Sequence, residues 1–252
     1  MKIKIQIAGR TVEILYMYPT TETYIGKYRS ERDPAISISI IPEDIAFERM
    51  KSAKEDALEG IPPRQFSDAY LETIAVQRKI TEKLFDYDTL LFHGSVIAVD
   101  GAAYLFTAKS GTGKSTHTRL WREMLGDRAT MVNDDKPFLQ ITESAVIVHG
   151  SPWNGKHGLG ENVAVPLKAI CILERGTENA IREIPPKEAL TILFQQSSRP
   201  RNPGKMPKYL ELLDKLAANV KYYKLQCNMD PQAAELSYRV MSGDERNMAH
   251  ED

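Results

Sequence analysis

Strict alternation opens the chain. In Met1-Lys2-Ile3-Lys4-Ile5-Gln6-Ile7 every second residue is apolar, the mark of a strand with one buried face. The same reading predicts further strands at 12–16, 23–28 and 36–41, with a turn at Gly9-Arg10. The period then changes. Pro42-Glu43-Asp44 starts a helix expected to reach Leu58 and to stop at Gly60 and Pro62-Pro63. Ser67-Asp68 caps a second helix running to Asp86, with Tyr70, Ile74, Val76, Ile80, Leu84 and Phe85 on its buried side. Residues 1–88 thus read as a small α+β region whose role the pattern leaves open.

From Leu90 onward strands alternate with helices, and residues 89–252 read as a second domain. Val96-Ile97-Ala98-Val99 and Ala102-Ala103-Tyr104-Leu105-Phe106 are separated only by Asp100-Gly101, a preferred tight hairpin turn because both turn residues must reach positive φ. Residues 167–174 read as a fully buried strand, 181–184 as another, and Pro186 as the start of a helix reaching Gln196. Residues 199–207 are loop-like. A last strand is expected at 222–227, then a helix with Asp230 as its cap and Pro231 in its first turn.

The hairpin leads into Ala108-Lys109-Ser110-Gly111-Thr112-Gly113-Lys114-Ser115-Thr116. Gly111 and Gly113 permit a tight turn whose backbone N–H groups point inward at phosphate oxygens. Lys114 supplies a charge for the terminal phosphates, and the Ser115 hydroxyl is placed to ligate Mg²⁺. The helix that follows adds partial positive charge at its N-terminus. Ala108 replaces the first glycine of the usual pattern. A strand before the loop and a helix after it favour a nucleoside triphosphate site over an ordinary glycine-rich turn.

Downstream, Ala129-Thr130-Met131-Val132 is a short apolar strand that ends in Asn133-Asp134-Asp135. Neighbouring strand residues face opposite ways, so the two aspartates are expected to differ in role. One would hold metal, and the other would accept a proton from an incoming hydroxyl. The bland alternative is an Asx turn. His93, just before the hairpin, is a candidate neighbour of the transferred phosphate, although an isolated histidine is more often structural. The segment 150–160, with its glycines, Trp153, Lys156 and His157, reads as a site loop. There Lys156 would neutralise developing charge and Trp153 would pack on a base or substrate; a mobile surface loop is the alternative. Arg199 and Arg201 are weaker phosphate candidates.

Composition narrows the partners. With 33 basic and 34 acidic residues in 252, the chain has no electrostatic footprint for nucleic acid. No apolar run is long enough to cross a bilayer. Cys171 and Cys227 lie in apolar runs without metal-ligand spacing, so buried thiols in a reducing, cytoplasmic compartment are expected.

Taken together, His93-Gly94-Ser95, the Asp100-Gly101 hairpin, the 108–116 loop and Asn133-Asp134-Asp135 resemble the catalytic domain of HPr kinase/phosphorylase, a serine kinase of a carrier protein. Its fold is shared with the nucleotide-binding part of phosphoenolpyruvate carboxykinases. The resemblance covers roughly residues 90–175. The segment 150–160 is closer to relatives encoded beside small peptide-modifying systems. The resemblance implies an α/β P-loop kinase core with a small α+β N-terminal region. It also implies ATP on Ala108–Thr116, Mg²⁺ on Ser115 and Asp134, Asp135 as general base, and His93 beside the reacting phosphate. The expected activity is ATP- and Mg²⁺-dependent transfer to a hydroxyl, foremost a serine of a small protein or peptide. A small-molecule kinase and an ATP-binding module without transfer are the alternatives. The oligomeric state, a homo-oligomer included, stays open.

Overall fold

A turn at Ala8-Gly9, with φ angles of 47° and 73°, closes the first hairpin in the computed structural model, which describes residues 1–109, 111–155 and 157–243. Ile7 pairs with Arg10 across it, so the turn sits one residue earlier than the sequence predicts. The chain divides into two compact units, Met1–Tyr87 and Asp88–Asp252.

In the first unit, β1 (Lys2–Ile7) and β2 (Arg10–Leu15) are antiparallel, α1 spans Pro19–Ile25, and β3 (Ile36–Ser39) lies parallel to β2. Two long helices follow, α2 (Pro42–Glu59) and α3 (Asp68–Leu84). The strand expected at 23–28 is not formed: α1 and a short 3-10 turn at Gly26–Tyr28 occupy it. The reason lies far along the chain. Fully buried Glu72 accepts hydrogen bonds from the N–H groups of Met17 (2.6 Å) and Tyr18 (3.0 Å) and from the Thr21 hydroxyl (2.5 Å). It thereby fixes the helical entry that β-branched and aromatic residues alone would not choose. Ser67 caps α3 by accepting from the Tyr70 N–H, and the buried side of α3 includes Leu71, Ala75, Val76, Ile80 and Leu84. Tyr70, expected on that side, is 44% exposed and stacks on Phe66. Arg78 ties the helices together through Asp44 and Glu48 of α2.

The second unit has a mixed α/β architecture. Its elements are β4 (Thr89–Leu91), β5 (Ser95–Val99), β6 (Ala102–Thr107), α4 (Lys114–Leu125), β7 (Ala129–Asn133), β8 (Phe138–Ile141), β9 (Val146–His149) and β10 (Ala164–Arg175). They continue with β11 (Ala180–Ile184), α5 (Pro186–Gln196), α6 (Met206–Asn219), β12 (Lys221–Cys227) and α7 (Pro231–Ser242). Strand β10 joins two sheet regions. Its first residues pair with β9 antiparallel, and its remainder lies parallel to both β6 and β12. The strand order runs β4-β8-β9-β10-β6-β5-β7, with β12 and β11 continuing from β10. Asp100 and Gly101 take φ angles of 50° and 80°, so β5 and β6 form the expected hairpin. Ala169, Cys171 and Leu173 alternate along β10 into a core shared with Trp121 of α4 and with Ala234, Tyr238 and Met241 of α7. Both cysteines are free thiols, Cys171 buried and Cys227 partly so. Among the described residues, no helix is long and apolar enough to cross a membrane.

His117 and His149 set an acid limit on the stability of this unit. Both are buried, and burial pushes each imidazole down to about 4 from 6.5. The unfolded chain therefore takes up protons before the folded one does. Stability is complete above the unfolded value of 6.5 and is lost as pH falls from there toward about 4. At roughly 1.4 kcal/mol per pKa unit, each histidine removes on the order of 3 kcal/mol over that window. The urea midpoint should fall between about pH 7.5 and about pH 5, and His149→Gln should lessen the fall. A midpoint constant across that range would refute the account.

Candidate functional site

Strand β6 delivers the chain into the glycine loop, and α4 carries it away. Ala108 is 1% exposed and packs in the core cluster with Phe106 and Trp121. Its methyl group therefore fills core space at the position where the familiar pattern has glycine. Gly111 and Gly113 hold φ angles of 74° and 120°, which side-chain-bearing residues rarely adopt. The Thr112 N–H and hydroxyl both donate to the Lys109 carbonyl, at 3.3 and 2.8 Å. The Arg175 guanidinium, at the end of β10, donates to the Gly111 carbonyl. Helix α4 starts at Lys114 without an acidic residue in its first turn, and Gly113 offers no side chain to cap it. The first amides and the helix dipole are thus left for an anion. Ser110 lies outside the described residues.

Lys114 projects from this turn toward both aspartates. Burial lowers its ammonium below the ordinary value, against the pull of Asp135 and Asp134. The aspartates themselves are presented by Asn133. Its Oδ1 accepts from the N–H groups of Asp135 (2.8 Å) and Lys136 (2.6 Å). Its Nδ2 donates to the Ser151 carbonyl (3.1 Å) and hydroxyl (3.0 Å). The Asx turn is therefore real, and it is also the device that aims two carboxylates in different directions.

Asp134 faces inward and is 5% exposed. Its Oδ1 accepts from the Ser95 hydroxyl at 2.6 Å. Ser95 in turn lies 2.9 Å from the Thr118 hydroxyl of α4, which reaches the Lys114 carbonyl at 3.2 Å. A chain of hydroxyls thus ties this carboxylate to the first turn of α4. Its other oxygen, Oδ2, abuts Gly155, where an added β-carbon would stand only 2.9 Å away. Asp135 faces outward with 37% of its side chain exposed, and its Oδ1 lies 3.3 Å from His93 Nε2. Burial works to raise the Asp135 pKa, but the His93 hydrogen bond and the charges of Lys136 and Lys114 outweigh it and hold the carboxyl below its usual value. The His93 backbone is held on both sides: its N–H donates to Gln196 (2.7 Å) and its carbonyl accepts from Thr107 (3.1 Å).

A groove of about 870 Å³ opens beside Ser115 and Asp134 and continues along the outer face of α4. His157 and Leu159 of the 150–160 segment lie on its opposite wall. Trp153 does not reach it as a stacking platform: it is 3% exposed, so its indole is spent on packing. Lys156 lies outside the described residues. Arg199 stands over the Phe194 ring of α5 at 5.2 Å.

Lys114, Asp134, Asp135 and His93 therefore share one locale, with Ser115 and Thr116 at its edge. Reading the chain alone missed Ser95, Thr118 and Arg175. Ser95 had a signal, a hydroxyl inside an otherwise apolar strand, and Thr118 lies one helical turn beyond Lys114. Arg175 had none.

Among the described residues, no group of three or more His, Cys, Asp or Glu side chains could hold a metal. Asp134 and Ser115, both lining the groove, offer hard oxygen donors beside the anion-ready helix terminus. That donor set fits Mg²⁺, which is usually held by one or two carboxylates together with ligand phosphates.

The family model described as SynChlorMet cassette protein ScmC matches residues 65–230, and the chain belongs to that family. No curated protein matches. Among solved structures, the HPr(Ser) kinase/phosphatase from Coxiella burnetii is similar with a TM-score of 0.35 and 10% identity, covering 61% of this chain and 99% of that one. That superposition is too loose to carry residue roles across.

Proposed function

We propose that this ScmC-family chain is a kinase with a P-loop core of the HPr-kinase type, which uses ATP and Mg²⁺ to phosphorylate a hydroxyl, foremost a serine of a small protein or peptide. One observation carries the reading. Lys114, at the glycine-loop end of α4, interacts with both aspartates, one anchored by Ser95 and the other paired with His93. A loop that only bound nucleotide would need neither a second carboxylate nor a histidine aimed at it.

In this reading the loop amides of residues 111–116 receive the phosphates, and Lys114 neutralises charge between the terminal two. Ser115 and Asp134 would hold Mg²⁺, which when bound neutralises phosphate charge and fixes the phosphate oxygens. The acceptor oxygen forms a bond to the γ-phosphorus while the bond from that phosphorus to the bridging oxygen breaks, and ADP leaves. Asp135 takes the acceptor's proton, and His93 holds the receiving carboxylate in place. A carboxylate with a depressed pKa is a weak base. Weak basicity suffices where the transition state is loose and the proton moves late. Two free thiols fit a reducing compartment that supplies ATP.

The test is incubation of the purified protein with γ-labelled ATP, Mg²⁺ and a lysate of its source, followed by separation of the products by size. A labelled peptide or small protein, absent with Lys114→Ala, is the expected result. Label confined to small metabolites would replace the acceptor class. Failure to bind ATP would overturn the reading altogether.

A further inference from the structure

The groove along α4 touches only part of the site. Ser115, Thr116 and Asp134 line it; Lys114, His93 and Asp135 do not. Transfer requires the last three residues, because the proton and the developing charge are handled there. The groove therefore meets the phosphate chain on the side away from the acceptor. Resting on the kinase reading above, we infer that it holds the nucleoside half of the nucleotide, with the base and ribose lying along α4.

Its chemistry suits that occupant. Met131 of β7 and Leu159 supply an apolar wall for a flat base. Arg119 is already engaged by Glu123 at 2.6 Å. Arg122 and Asp127 line the groove with no ion pair among the described residues. They provide a cation toward the α-phosphate end and a carboxylate acceptor for ribose hydroxyls, the kind of contact by which an acidic side chain reads a ribose. An acceptor peptide seated here would leave its hydroxyl on the Asp134 side of the loop, away from Asp135.

Calorimetric titration of ADP and of inorganic pyrophosphate, both with Mg²⁺, separates the possibilities. In Arg122→Met and Leu159→Asn, ADP affinity should fall by about tenfold, equal to about 1.4 kcal/mol, while pyrophosphate affinity stays within about twofold. Unchanged pyrophosphate binding also reports an intact fold. If ADP affinity is unchanged too, or if both ligands weaken alike, the nucleoside does not lie in the groove and the inference is wrong, while the phosphate-loop reading stands. A raised KM for the acceptor with unchanged ADP affinity would assign the groove to the acceptor instead. Wild-type protein that binds neither ligand would overturn the kinase reading and this inference with it.

Discussion

Lys114→Ala lowers kcat/KM for phosphoryl transfer by about 10³-fold or more, the scale on which a preorganised charge at a developing anion acts. The loss has two physical sources. The cation that balances the terminal phosphates disappears, and Asp134 and Asp135 are left facing the incoming phosphate charge without compensation. ATP affinity falls as well, because like charges now meet in a partly buried site. Circular dichroism and the melting temperature should stay close to wild type, since Lys114 is only half-buried and carries no core packing. A variant that keeps full turnover would place the phosphates elsewhere and sink the site assignment.

Asp135→Asn separates binding from chemistry. The amide keeps the shape and can still contact His93, but it cannot accept a proton, so kcat should fall by about 10²- to 10⁴-fold with ADP affinity nearly intact. Asp134→Asn should act differently. Its anchor to Ser95 survives in part, but the charge beside Ser115 is lost, so the requirement for Mg²⁺ rises. Equal effects of the two substitutions on Mg²⁺ dependence would contradict the division of labour. The pH profile adds a sign. Asp135 is held below its ordinary 3.8, so any acid limb of kcat/KM that it causes lies below that value, and activity is lost as pH falls through it. Removing the His93 hydrogen bond with His93→Ala takes away a lowering influence, so the limb should move to higher pH.

Much of the scaffold around the site is legible locally. Asp100-Gly101 closes its hairpin because the two residues tolerate positive φ, and Ser67 and Asp230 cap the helices that follow them. Where the pattern misleads, a distant partner is responsible. Residues 23–28 carry strand-like chemistry, yet Glu72 draws the preceding backbone into a helix. Trp153 looks like a platform in a glycine-rich segment, and only the packing above Asp134 reveals it as buried.

By itself the sequence determined those features whose cause lies within a few residues: the tight turns, the caps, the strand–loop–helix order of residues 102–125, and the presence of a lysine and two carboxylates. The tertiary structure decided how they meet. Pairing of β5 with β7 sets Val96 opposite Asn133, and this register brings Ser95 to Asp134 and His93 to Asp135. Adjacent aspartates thereby acquire unlike surroundings, one tied to α4 through hydroxyls and the other partly exposed beside a histidine. No local propensity encodes that difference, because it depends on which strand edges meet, and that choice is made by burial of the whole sheet.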